Sequence, residues 1–166
     1  MDTGLLLARV VLGLLMAAHG AQKLFGWFGG YGLAGTGGFF ESLGFRPGRF
    51  FAAAAGATEI TGGLLVALGL LGPLGPALIV STMIVAIVTV HWAHGVFAQN
   101  NGYELPLLYA VGAAAIALIG HGAYSVDALL QLTWSPEVVW AVLALGVIGG
   151  VLNLAIRKTA PAEVHA

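Results

Sequence analysis

Seven polar residues in an otherwise apolar chain have side chains able to do chemistry: Arg9, His19, Lys23, Glu59, His91, His94 and Glu104. Imidazole beside carboxylate can hydrogen-bond a carbonyl oxygen and relay a proton, the chemistry a quinone or similar amphipathic molecule requires. The same groups, His19, His91 and His94 with Glu59 or Glu104, also suit zinc, iron or copper. A third reading is structural, with Glu59 paired to Lys23 or Arg9 and the histidines bonded to backbone or water, because buried charges need partners. The metal pattern is the weakest of the three: there is no HExxH, and Lys23 would put a positive charge beside the ion.

What positions these residues is a set of apolar stretches. Leu5 to Phe25 is long enough to cross a bilayer yet carries Arg9, His19 and Lys23, and each charge at a hydrocarbon centre costs about 2.5–3.5 kcal/mol on insertion scales. At about 100° per residue the three fall within roughly 80° of one another, so one stripe faces inward. Rise along the helix puts Arg9 and Lys23 roughly 21 Å apart, with His19 one turn inside Lys23. Although Ala18-His19-Gly20 offers small residues, the charged end at Lys23 fits a retained span better than a cleaved signal.

Composition agrees. The chain is 59% hydrophobic and 8% charged, against about 25% charged in ordinary soluble domains. Too little polar surface remains to coat a water-soluble globule of 166 residues. The 26 glycines predict close helix packing, because lipid provides no hydrophobic drive between helices and backbones must approach for dispersion to act. With no cysteine, there is no disulfide, thiolate site or dithiol relay within the chain. Redox chemistry would need a cofactor, a quinone or a partner. The net charge of −1 and the lack of a basic run give no sign of nucleic acid.

Further spans are predicted at about 50–71, 77–97, 105–120 and 135–156, the fourth of them short. Trp27, Phe28 and Tyr31 suit the interface, with a short surface helix over 36–43 as linker or lid. Pro47 stands at a helix start, and Gly72-Pro73-Leu74-Gly75-Pro76 turns the chain with Pro76 at a first helical position. Ala128 to Trp134 is an interfacial piece, and Ser135-Pro136 reads as N-cap and first position of the last span. Ala52, Gly56, Glu59 and Gly63 share one face, which places the carboxyl against neighbouring helices and about nine residues, roughly 14 Å, below its end of the bundle. His19, Lys23, His91, His94 and Glu104 then lie toward that same end, with Asn100, Asn101 and Tyr103 as rim; Arg9 lies near the other end, pairing with a carboxylate or holding helix C-terminal carbonyls.

His121 falls at the opposite face and reads as structural, and His165 lies in a polar tail. No P-loop or GxSxG is present, and Gly35-Thr36-Gly37-Gly38 follows no strand. Lys23, Arg46, Arg49, Arg157 and Lys158 mark one face, which the positive-inside rule makes cytoplasmic, with the N-terminus outside and the C-terminus in the cytoplasm.

In order along the chain, Arg9, His19-Gly20-Ala21-Gln22-Lys23, Glu59-Ile60-Thr61-Gly62-Gly63, His91, Asn101-Gly102-Tyr103-Glu104 and Tyr124-Ser125-Val126-Asp127 resemble the DoxX family of small bacterial and archaeal integral membrane proteins. The resemblance covers about residues 5–127. It implies a four-helix membrane core and a link to redox metabolism, relatives being associated with thiosulfate:quinone oxidoreduction and with a membrane complex that includes superoxide dismutase and a sulfurtransferase. The residues it carries over are Arg9, His19, Lys23, Glu59, His91 and Glu104.

The expectation is therefore an all-α polytopic bundle of the cell inner membrane: a four-helix core over 1–127, an interfacial segment and fifth transmembrane helix over 128–158, packed outside the core or against a second copy in a homo-oligomer, and a tail over 159–166. His19, Lys23, Glu59 and His91 are the expected catalytic groups and Arg9, His94 and Glu104 the expected binding groups, for a quinone rather than a metal. The rival expectations are a non-catalytic anchor for soluble oxidoreductases and a His/carboxylate metal-binding protein; five spans without an evident inverted repeat argue against a transporter.

Overall fold

The computed structural model describes residues 2–158; the tail with His165 lies outside them. The chain forms α1 (Asp2–Phe25), a 3-10 turn (Trp27–Gly29), α2 (Gly32–Ser42), α3 (Gly48–Leu68) and α4 (Leu74–Ala86), which continues through a π-helical turn (Ile87–His91) and a 3-10 turn (Trp92–His94). A further 3-10 turn (Ala98–Asn100), α5 (Glu104–Ile119), α6 (Val126–Leu129) and α7 (Pro136–Ala155) follow. Four stretches, Asp2–Phe25, Gly48–Leu68, Leu74–His94 and Pro136–Ala155, are long and apolar enough to cross a membrane. At 16 residues α5 is shorter, about 24 Å against a hydrocarbon core of about 30 Å. It still runs from one face to the other, because Glu104 sits beside the end of α4 and the backbone just past α5 meets Arg9 near the start of α1.

Met16 of α1, Val66 of α3, Ile79 and Met83 of α4, and Ala113 and Ile116 of α5 form the central core. These are the four helices expected to bundle. Glycine sets how closely α1 and α3 approach: a Cβ on Gly13 would run into the carbonyl oxygen of Gly63, and one on Gly63 into that of Gly13. The last helix packs on α4 within the monomer, with Gly146 and Gly150 riding over Ala77 and Ser81, and Val139 and Leu143 against Ala117 of α5. At its end, Arg157 Nε donates to the Leu43 carbonyl and the Lys158 amide to that of Gly44 (2.9 Å).

Helix boundaries follow local chemistry. Ser135 Oγ accepts from the Val138 amide at 3.5 Å, with Pro136 opening α7 as expected. The start of α4 differs from expectation: the helix begins at Leu74, so Pro76 lies inside its first turn, where a missing N–H is still harmless. At the other end of α3, Gly69 takes a left-handed φ of 64° and leaves no Cβ in the path of the Arg9 guanidinium.

Candidate functional site

Two polar centres occupy opposite ends of the bundle. At the basic end, Lys23 Nζ donates to Glu59 Oε2 at 2.6 Å, and the Glu59 side chain is 5% exposed against 26% for Lys23. Small residues at Ala52, Gly56 and Gly63 bring α1 close enough for this contact. The pair borders a partly open cavity of about 270 Å³ lined by α2, α3, α4 and α7. One wall is aromatic: Phe39 and Phe40 of α2, Phe51 of α3 and, between them, Phe45, whose ring stands 5.8 Å from Phe40 and 5.3 Å from Phe51.

The same lining also includes Thr58 and Glu59 of α3, Ser81, Thr82, Thr89 and His91 of the α4 span, and Asn153 of α7. Thr82 and Thr89 donate to backbone carbonyls of their own helix, and Asn153 Nδ2 donates to Gly149. Their oxygens keep accepting capacity toward the cavity. His91 Nδ1 donates to the Asn101 carbonyl at 2.7 Å, which fixes the ring and leaves Nε2 with no protein partner among the described residues. The π turn ending at His91 places these groups; such turns recur at functional sites.

Of the seven expected residues, the structure brings Lys23, Glu59 and His91 to one cavity. His19 is not in its lining: its ring stands edge-on to Tyr109 of α5, centroids 5.7 Å apart. His94 turns back to its own helix, Nδ1 donating to the Val90 carbonyl at 3.0 Å. It does not join His91, because the π and 3-10 turns break the regular register that would have aligned them. Glu104 Oε2 accepts from the Ala98 amide at 2.9 Å and shapes the loop before α5. Among the described residues no three or more His, Asp or Glu side chains gather as a metal would need. The sequence reading missed the phenylalanine wall and Asn153; Ser81, Thr82, Val85, Ala86, Thr89 and Val90 recur at helical spacing and could have been read as one face.

Arg9 belongs to the opposite end. Its Nη1 and Nη2 donate to the carbonyls of His121 and Tyr124, both at 2.5 Å, just past the end of α5. Asp127 ties the same region together, accepting from the amides of Leu71 (2.8 Å) and Gly72 (2.7 Å) and from Trp134 Nε1 (2.9 Å). Of the two roles expected for Arg9, holding carbonyls is the one the geometry has, and the residue lies away from the Lys23–Glu59 cavity.

The chain matches the DoxX family over residues 4–92, from the start of α1 to Trp92. That stretch contains Arg9, His19, Lys23, Glu59 and His91 and stops before Glu104 and Asp127, short of the 5–127 expected. The chain is also similar to a Bacillus subtilis (strain 168) protein named "Putative oxidoreductase CatD", 37% identical over 89 residues. That similarity takes in 54% of this chain, which spans 60% of the length of that relative. No solved structure matches. With more than half of its 166 residues matched, this multi-pass membrane protein belongs to the DoxX family.

Proposed function

We propose that the chain is a redox-linked subunit of the cell inner membrane that binds a quinone-like ring beside Lys23 and Glu59, with the basic face and the C-terminus cytoplasmic. The observation that carries the reading is the cavity itself, whose lining brings phenylalanine rings together with an ion pair, hydroxyls and an imidazole. Its volume of about 270 Å³ suits a ring headgroup, at the lower edge of small-molecule sites. Lys23 has three N–H donors and gives one to Glu59, so a carbonyl oxygen in the cavity can take another. Glu59 can hold a proton at Oε2 when Lys23 turns to the ligand, and His91 Nε2 can do the same across the cavity. A quinone held there would supply a two-electron, two-proton couple; the chain has no cysteine to serve as a dithiol relay, and a soluble oxidoreductase partner would be the electron donor. The name of the Bacillus subtilis relative supports the redox link.

The test uses the full chain in lipid nanodiscs with a short-chain benzoquinone as probe. Saturable binding, weakened at least tenfold by Thr58→Phe, which fills the cavity, is expected. Neither bound nor exchangeable quinone, together with no quinone-dependent electron transfer, would refute it. Lys23 and Glu59 satisfy one another, which favours a second reading, a non-catalytic anchor for soluble oxidoreductases. Partner co-purification that survives combined Glu59→Gln and His91→Ala substitution would select that one.

A further inference from the structure

At the end of the bundle away from Lys23, a second cavity of about 440 Å³ lies between the end of α5, the 120–128 segment and the start of α7. This exceeds the first and falls within the usual range of small-molecule sites. His121 lines it and is 8% exposed, yet its Nε2 is buried without a hydrogen-bond partner. No hydrogen bond to the other ring nitrogen is present among the described residues either; only the backbone carbonyl of His121 is engaged, by Arg9. The two ring nitrogens differ: Nε2 is closed off by surrounding protein, while Nδ1, unbonded and not fully buried, is the acceptor a ligand in the cavity can reach.

Two of the other polar groups are committed, while Arg9 Nε is also buried without a partner and the Thr133 hydroxyl of the lining makes no hydrogen bond among the described residues. Asp127 accepts three hydrogen bonds, and the Ser125 hydroxyl donates to Gly122 and accepts from Ala128. Arg9 and Asp127 offset each other's charge, so an ionic ligand gains nothing from the site. Burial lowers the pKa of His121, with Asp127 opposing and Arg9 adding, which keeps the imidazole neutral and able to accept. The walls are apolar and aromatic: Ile119, Val139, Trp134 and Trp140, the Trp134 indole being fixed by its bond to Asp127. The geometry points to a second ligand site, for an uncharged phenolic ring whose hydroxyl donates to His121 while the ring lies among Trp134, Trp140 and Ile119. It stands apart from the Lys23–Glu59 cavity and does not depend on the function proposed there.

The experiment uses the full chain carrying Trp27→Phe and Trp92→Phe in detergent micelles, so that fluorescence comes from Trp134 and Trp140 alone. The probe is 4-bromophenol, whose heavy atom quenches an indole in contact. Saturable quenching is expected, weakened at least tenfold by His121→Phe. Saturation by 4-bromoanisole, which lacks the hydroxyl proton, is expected to be at least tenfold weaker and indifferent to His121→Phe. Competition by 4-nonylphenol stronger than by phenol would make the ring a membrane-borne one, and the reverse a water-borne one. Quenching that rises linearly and equally with both bromoarenes is partition into the micelle only and overturns the site, as does saturation unchanged in His121→Phe. Should that variant fail to fold, Ala128→Phe at an exposed lining position must abolish saturation; if it does not, the site is refuted.

Discussion

Replacing Lys23 and Glu59 singly and together gives a cycle whose outcome the burial of the two side chains dictates. Lys23→Met strands a carboxylate that is 5% exposed; breaking a buried pair this way costs about 3–5 kcal/mol, and we expect about 3 because the cavity borders the carboxylate. Glu59→Leu strands an ammonium that is already 26% exposed on a flexible stem, so it can reach water and the expected cost is about 1–2 kcal/mol. The double variant leaves neither charge, and an apolar pair of similar volume is often neutral, within about 1 kcal/mol of the parent. The coupling energy is then about 3–5 kcal/mol, with the double variant more stable than Lys23→Met alone. Reversible unfolding by SDS in mixed micelles measures all four states. Additive costs, or Glu59→Leu more damaging than Lys23→Met, would refute the assignment of the carboxylate as the sheltered partner.

Asp127→Ala leaves the Leu71 and Gly72 amides and the Trp134 indole without their acceptor, at about 1–3 kcal/mol for each buried donor. The same unfolding assay should show a loss of at least about 3 kcal/mol, with Asp127→Asn milder. Because burial lowers the pKa of His121 below its ordinary 6.5, the unfolded chain takes up that proton first as the medium is acidified. The stability present above about pH 6.5 is therefore lost as pH falls, by at most about 1.4 kcal/mol per unit for this one group. Unfolding measured from pH 7.5 to 5 should show this slope, and His121→Phe should flatten it.

The helices and the burial of Glu59 could be read from spacing alone, since a carboxylate sharing a face with Ala52, Gly56 and Gly63 has nowhere to go but against another helix. Spacing leaves its partner open between Lys23 and Arg9; the structure pairs it with Lys23. His19 shows the limit of a helical wheel. It shares a stripe with Lys23, but whether that part of α1 meets α3 or α5 depends on how the helices are arranged around it, and the structure sets His19 toward Tyr109. His91 and His94 diverge because the chain adds a π turn that no residue type announces. Asn153 was visible as an amide in an apolar span; that it reaches the wall beside Ser81 and Thr82 required knowing where α7 lies.

The docking of α7 on α4 decides from which medium the basic-end cavity can be entered. Asn153 completes the wall at Ser81 and Thr82, and the bonds of Arg157 and Lys158 to Leu43 and Gly44 clamp that helix to the corner before α3. Without it, the Ser81 and Thr82 hydroxyls would open sideways onto acyl chains, and a tailed ring could slide in laterally. With it, that side is closed by protein, and a ligand of the proposed site would have to enter by another route.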